Sequence, residues 1–115
     1  MELVKYTRRI TLSEEEIDFS YSEILMEKKT KKVLNFAVVQ TYQPQETEFL
    51  VKKHDCSHGN YHIHHFYRGK EPIIEETDEP ITIELFEQAK LDIRMNWLGY
   101  RTQFCNRGLD RENKR

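Results

Sequence analysis

The sequence has 115 residues, 37% hydrophobic and 33% charged, with a formal net charge of −2. That length holds one core and leaves no room for a second, and six Phe, six Tyr and one Trp supply the large side chains to fill it. No apolar run approaches the roughly 20 residues that cross a bilayer, and with only three Pro and four Gly long flexible linkers are not expected.

In chain order, Met1-Glu2-Leu3-Val4-Lys5 lacks the basic start and apolar stretch of a secretory signal. A cytoplasmic location with no membrane partner is therefore the expectation, and Cys56 and Cys105 are read as free thiols. Leu3 to Leu12 reads as a first strand, closed by an acidic break at Ser13 to Glu16. Ile17, Phe19 and Tyr21 then alternate with Asp18, Ser20 and Ser22, the period-2 pattern of a half-buried strand. The apolar set changes parity at Ile24 and Met26, which predicts a bulge near Glu23. After a charged turn at 28–32, Leu34, Phe36 and Val38 face one way while Ala37 and Val39 face the other, as in a central strand. A turn at Gln43-Pro44-Gln45 leads into Thr47 to Lys53, with Phe49 and Val51 inward.

Asn60 to Tyr67 is the next strand by its aromatic and Ile content, entered through Ser57-His58-Gly59-Asn60, whose Gly can supply a positive φ. An acidic loop over 68–81, with Pro72 and Pro80, ends the sheet. Thr82 is a suitable N-cap and Glu84 suits the positive end of a helix dipole. Phe86, Ala89, Ile93, Trp97 and Tyr100 then form an apolar stripe at helical spacing, so a helix over about 82–101 should end near Gly99 or shortly after. A polar, basic tail covers 106–115. The expected fold is α+β: one domain, an antiparallel sheet of about five strands over 3–67 in meander order, and one long C-terminal helix packed on one face.

All five histidines (His54, His58, His62, His64 and His65) fall within 12 residues. On a strand, His62, His64 and Phe66 share one face and Tyr61, Ile63, His65 and Tyr67 the other. If the Ile63 face packs under the helix, His62 and His64 are presented together on the open face. His58 in the turn, and Asp55 and His54 on the preceding strand, come within reach. Two imidazoles at i and i+2 suit a divalent transition metal such as zinc, with His58, Asp55 or Cys56 as a third ligand. They equally suit metal-free proton transfer, since imidazole titrates near neutrality, or they are surface histidines with no chemistry. His65, on the core face, reads as structural. Cys56 reads as an ordinary small thiol.

Around this cluster, Tyr61, Tyr67, Arg68 and Lys70 are candidates for stacking on bases and holding phosphates. From Glu71 to Gln88 there are seven acidic residues and no basic one, whereas Ala89 to Arg115 holds seven basic residues against three acidic. Arg94 and Arg101 of that basic end are further phosphate candidates. No Gly-rich phosphate loop, GxSxG elbow or HExxH helix is present.

The string Asp55-Cys56-Ser57-His58-Gly59-Asn60-Tyr61-His62-Ile63-His64 follows the pattern D-x-x-H-G-x-x-H-x-H. It resembles the TumE-type toxins of small toxin–antitoxin pairs and related small uncharacterised proteins, over about 20 residues. The resemblance implies a small intracellular protein acting on RNA, neutralised by a protein antitoxin, with Asp55, His58, His62 and His64 as its functional residues. Three readings stand side by side. One is a ribonuclease in which one of His62 and His64 takes the proton of a 2′-hydroxyl and the other protonates the leaving 5′-oxygen, the pair oriented by His58 and Asp55. The second is a metal-binding protein. The third is an interaction module that self-associates through a sheet edge, its acidic loop pairing with the basic C-terminus of a second subunit.

Overall fold

A computed structural model describes residues 1–56 and 59–113, with side chains as far as residue 106. Six strands, β1 (Leu3–Thr11), β2 (Asp18–Glu27), β3 (Val33–Tyr42), β4 (Phe49–Asp55), β5 (Tyr61–His65) and β6 (Ile73–Thr77), precede one helix, α1 (Ile83–Asn113). Every strand pairs antiparallel with its sequence neighbours, in the order β1-β2-β3-β4-β5-β6. The helix lies across β2, β3 and β4 on one face. The shortest dimension, 22 Å, is that of two layers, since packed layers lie about 10 Å apart. The α+β meander with a C-terminal helix agrees with the alternation read from the sequence.

The core lies between sheet and helix. Phe36 and Val38 of β3, Ile24 and Met26 of β2, and Leu85, Phe86, Ala89 and Ile93 of α1 are all buried in one cluster. The Phe36 ring sits 5.4 Å from Phe86 and 6.1 Å from Tyr61, both tilted, the spacing at which aromatic pairs add attraction beyond area burial. Thr82 caps the helix: its Oγ1 accepts from the Leu85 amide at 3.1 Å, and its carbonyl accepts from Phe86 at 3.2 Å. Glu84 occupies the first turn.

Three details differ from the sequence-based expectation. The acidic segment 68–81 contains β6, so the sheet has six strands rather than about five. Its prolines, Pro72 and Pro80, lie outside the strand, where they remove no ladder hydrogen bond, and its glutamates suit an edge, where charge discourages further pairing. The helix continues through Asn113 rather than ending near Gly99. An exposed mid-helix Gly costs only about 1 kcal/mol, and beyond it Phe104 is buried against Phe49, rings 5.7 Å apart. No bulge falls near Glu23: β2 pairs with β1 without interruption, and the register shift opposite Leu25 and Met26 leaves Leu34 of β3 as the extra residue.

A second irregularity shapes the site. The β3–β4 register shifts between Gln40 and Thr41: Thr41 pairs with Leu50, but Gln40 pairs with Lys52. Val51 is thus an extra residue, and everything after it is inverted relative to simple alternation. Phe49 faces the helix as expected. Beyond the bulge it is Lys52 and His54 that turn inward, and Lys53 and Asp55 that turn out.

Candidate functional site

The face opposite α1 carries no covering element among the described residues. Backbone register arranges its side chains in two rows that cross the strands. One row runs Ile74, His64, Lys53, Val39, Tyr21, Arg9; the next runs Glu76, His62, Asp55, Ala37, Glu23, Thr7. The first is basic and apolar, the second largely acidic. Gly59, at φ 86°, makes the turn that returns the chain into β5; a side chain there would be strained.

His62 and His64 stand side by side on this face, ring centroids 6.2 Å apart. The His62 side chain is 21% exposed, and its Nε2 lies 3.5 Å from Glu76 Oε1, an ion-pair distance once the ring is protonated. His64 stacks on Phe66 at 6.0 Å, planes 11° apart. Partial burial, and then the Lys53 ammonium, hold the His64 imidazole below the ordinary histidine value; Asp55 pulls the other way and does not compensate. Lys53 Nζ lies 3.5 Å from Asp55 Oδ2. The pair therefore sits in two environments: one ring is biased toward neutral, the other is next to a carboxylate.

A second polar cluster, on the helix face, was not legible as a unit. His54, 3% exposed, places Nε2 2.9 Å from Asp92 Oδ2, while its Nδ1 meets the Tyr61 hydroxyl. The assignment that satisfies every group has Tyr61 O–H donating to Nδ1 and Nε2–H donating to the carboxylate. Lys52 Nζ donates to the same Asp92 oxygen at 2.8 Å, Tyr100 O–H donates to the other, and Asn96 Nδ2 adds a bond at 3.2 Å. The Lys52 ammonium also lies 3.9 Å from the Tyr100 ring centroid. Burial opposes ionisation of Asp92, but the bonds from His54, Lys52 and Tyr100 outweigh it and hold the carboxyl well below the usual range. Burial raises the Tyr61 and Tyr100 phenols, so both stay protonated donors. Solvent does not reach His54 or Tyr61, which makes this a lock joining β4, β5 and α1 rather than a reaction site. Asp92, Asn96 and Tyr100 recur at i, i+4 and i+8, a polar line beside the apolar stripe that is readable in the sequence.

The other expected residues fall in several places. Asp55 lies on the open face opposite His62 in the β4–β5 register. His58, expected as catalytic residue and metal ligand, lies outside the described residues. Among those described, no three His, Cys, Asp or Glu side chains converge as a metal-binding group. Tyr61, expected to stack on a base, is buried at 5% exposure in the core cluster, with the Phe36 and His54 rings packed against it. Arg101, expected to hold a phosphate, turns inward instead: its Nε lies 3.4 Å from the buried Asp18, and the Tyr42 and Trp97 rings flank it at 5.1 and 5.6 Å. Arg94 is exposed on the flank of α1, beside Glu87, Lys90 and Leu91.

Tyr67, Arg68 and Lys70 lie in the turn after β5, where the Arg68 amide donates to the Phe104 carbonyl at 3.2 Å. Arg68 is exposed at the mouth of a hollow of about 700 Å³ that Tyr42, Phe49, Phe104 and Cys105 also line, on the helix side of the sheet. His65 Nε2 reaches Glu75 at 3.2 Å on the core side. Cys56 is buried, its thiol donating to the Phe36 carbonyl at 3.4 Å, and burial pushes its pKa up. Both cysteines are free. Sequence reasoning missed Lys52, Lys53, Asp92 and Tyr100 as members of polar clusters, and Arg9, Tyr21 and Glu23 as neighbours of the histidine face.

No curated protein and no solved structure matches this chain. Residues 1–109 match the family described as domain of unknown function DUF7718, and the chain belongs to that family.

Proposed function

We propose that this protein binds single-stranded RNA along the open face of its sheet and cleaves it with His62 and His64 acting as an acid–base pair. The observation that carries the reading is the pairing of two imidazoles in unlike environments, 6.2 Å apart on an uncovered face, with Lys53 beside them. A positioned acid or base works at about 2.6–3.2 Å from the atom it serves, so two rings at this separation can bracket one phosphate. His64, biased toward its neutral form, takes the proton from a ribose 2′-hydroxyl as its oxygen attacks phosphorus. His62, with Glu76 at 3.5 Å to pair its imidazolium, gives a proton to the departing 5′-oxygen. The P–O5′ bond breaks as the P–O2′ bond forms, leaving a 2′,3′-cyclic phosphate and a 5′-hydroxyl. Lys53 offsets charge on the non-bridging oxygens, and Asp55 orients the pair from β4.

The test is incubation of tag-free protein with mixed-sequence single-stranded RNA, beside His62→Ala and His64→Ala variants whose melting temperatures are measured in parallel. Each variant should lose cleavage at least about a hundredfold, the range of general acid–base catalysis, with Tm nearly unchanged. Equal activity in the variants, or loss of the fold, contradicts the assignment.

A second reading, self-association, is supported by a different surface. Leu91, Met95 and Leu98 on α1 are exposed at 47%, 71% and 55%, and their i, i+4, i+7 spacing makes one exposed apolar stripe along the helix. Light scattering on wild type and Met95→Glu decides it: a dimer that the substitution dissociates supports the reading, and a wild-type monomer at high concentration removes it.

A further inference from the structure

The row that carries His64 ends in a hollow the histidines do not explain. A depression of about 350 Å³ opens on the same face at the β1 end, lined by Thr7, Arg9, Tyr21, Glu23, Ala37 and Val39. That volume is within the range of small-ligand sites, roughly 300–1,000 Å³. Ala37 and Val39 make an apolar floor, and the polar groups stand at the rim. The register makes the hollow continuous with the histidine pair: Val39 is the neighbour of Lys53, and Ala37 of Asp55. With strands about 4.8 Å apart, Tyr21 lies roughly 14 Å from His64, three strands away.

The rim is held in place before any ligand arrives. The Arg9 guanidinium packs 3.9 Å from the Phe19 ring centroid, and its Nε donates to the Tyr21 hydroxyl at 3.0 Å. That hydroxyl donates to Glu48 Oε2 at 3.0 Å, and Glu48 also accepts from Thr41 at 2.8 Å. Across the hollow, Glu23 Oε1 pairs with Lys5 Nζ at 2.8 Å. A flat apolar floor, a carboxylate with an ammonium next to it, and a fixed guanidinium define a ligand class. It is planar with apolar faces, has adjacent donors and an acceptor on one edge, and carries an anion. A carboxylate accepts two parallel N–H bonds best. Guanine presents that pair, N1–H and N2–H, beside a carbonyl oxygen that Lys5 can donate to. Adenine, cytosine and uracil each offer the carboxylate a single such donor group on that edge.

We propose that this hollow is a guanine subsite. The base lies on Ala37 and Val39 against Tyr21, its Watson–Crick edge on Glu23 and Lys5, its phosphate on Arg9. The assignment rests on the RNA reading above for its substrate, yet it predicts binding that requires no cleavage. It would give the enzyme a preference for RNA carrying guanine a short distance from the broken bond, set by the span between Tyr21 and His64.

The experiment is titration of the full-length protein with GMP, AMP, CMP and UMP, followed by amide chemical shifts. It is repeated with 2′-O-methyl oligonucleotides, which lack the attacking hydroxyl, with and without one guanine. GMP should shift the amides of Thr7, Tyr21, Glu23, Ala37 and Val39 saturably, with the other nucleotides at least about tenfold weaker, the effect of losing one charge-assisted hydrogen bond. Glu23→Gln should abolish the preference for GMP and melt within about 2 °C of wild type, as exposed substitutions do. Arg9→Ala should weaken all four nucleotides and melt somewhat lower because it uncovers the Phe19 ring, so its titration is run well below its own Tm. The His62→Ala/His64→Ala double variant should bind GMP as wild type does. The guanine-containing oligonucleotide should compete with GMP and the guanine-free one should not.

Equal affinity for all four nucleotides, no saturable shift, or shifts confined to β5 would overturn the subsite. So would GMP binding that neither oligonucleotide displaces, because that describes a site for free nucleotide. RNA cleavage without GMP binding removes the subsite alone, and GMP binding without cleavage removes the nuclease alone.

Discussion

Replacing Asp92 with Ala should be among the most damaging single changes in this protein, although Asp92 touches no part of the open face. Its carboxylate bonds His54, Lys52, Tyr100 and Asn96. Removing it leaves the Lys52 ammonium, whose side chain is 7% exposed, without a counter-charge, and His54 Nε2 without an acceptor. Breaking a buried pair by deleting one partner costs about 3–5 kcal/mol. Asp92 itself is 26% exposed, so water partly reaches the gap and the lower end, about 3 kcal/mol, applies. Against a total stability of roughly 5–15 kcal/mol, that is a large fraction. For a domain of this size it lowers Tm by about 10–15 °C, measurable by calorimetry or circular dichroism. The cause is tested by a double-mutant cycle. Lys52→Met in the Asp92→Ala background removes the orphaned charge, so the double variant should be more stable than the sum of the singles by at least about 1 kcal/mol. A Tm for Asp92→Ala within about 2 °C of wild type, as for an exposed substitution, would refute the lock.

The same carboxyl predicts a pH dependence. Its folded pKa is depressed below the unfolded value near 3.9, so its contribution is complete above that value and is lost as pH falls below it. Wild type should lose stability in acid more steeply than Asp92→Asn, as followed by urea unfolding at several pH values. Asp18 has the opposite sign. Burial raises its carboxyl against the pull of Arg101 and of the Ser13 hydroxyl, and Arg101 Nε stands 3.4 Å away. Asp18→Asn should therefore leave Tm at pH 7 unchanged or raise it, and a fall of more than about 5 °C would show that the charge is needed. Thr82→Ala should cost about 1 kcal/mol through loss of the helix cap, read by the same melts. In the cleavage reaction, the acidic limb of the kcat/KM profile should report the depressed His64 imidazole, and Lys53→Gln should move that limb to higher pH, because the Lys53 charge is one of its causes.

Alternation was enough to place His62 and His64 together on the uncovered face, because β5 is regular and its Ile63 marks the buried side. Thr82 was legible as a cap for a similar reason: capping depends on a local hydrogen bond. What resisted reading was non-local. Extending the Phe49–Val51 alternation puts Lys53 and Asp55 inside, and only the unpaired residue at Val51 reverses this and buries Lys52 and His54. Nothing in the local sequence announces that bulge, since Val is at home on either side of it. The segment Ile73–Thr77 reads as loop because its glutamates are unfavourable in a central strand, yet they are suited to an edge. Gly99 reads as a stop, but the fixation of Arg101 and Phe104 against the sheet carries the helix past it. Arg101 and Tyr61 looked like surface contacts because residue type alone does not reveal which polar groups a fold encloses.

The most direct test of the central claim is the chemistry of the cut ends. Wild-type protein is incubated in excess EDTA with an oligoribonucleotide, and the products are weighed by mass spectrometry beside the same oligonucleotide carrying 2′-O-methyl groups throughout. Attack by the 2′-hydroxyl under imidazole catalysis predicts fragments ending in 2′,3′-cyclic phosphate and beginning with 5′-hydroxyl, and an intact methylated control. No cleavage at micromolar protein, cleavage that EDTA abolishes, or cleavage of the methylated strand would contradict an acid–base pair at His62 and His64.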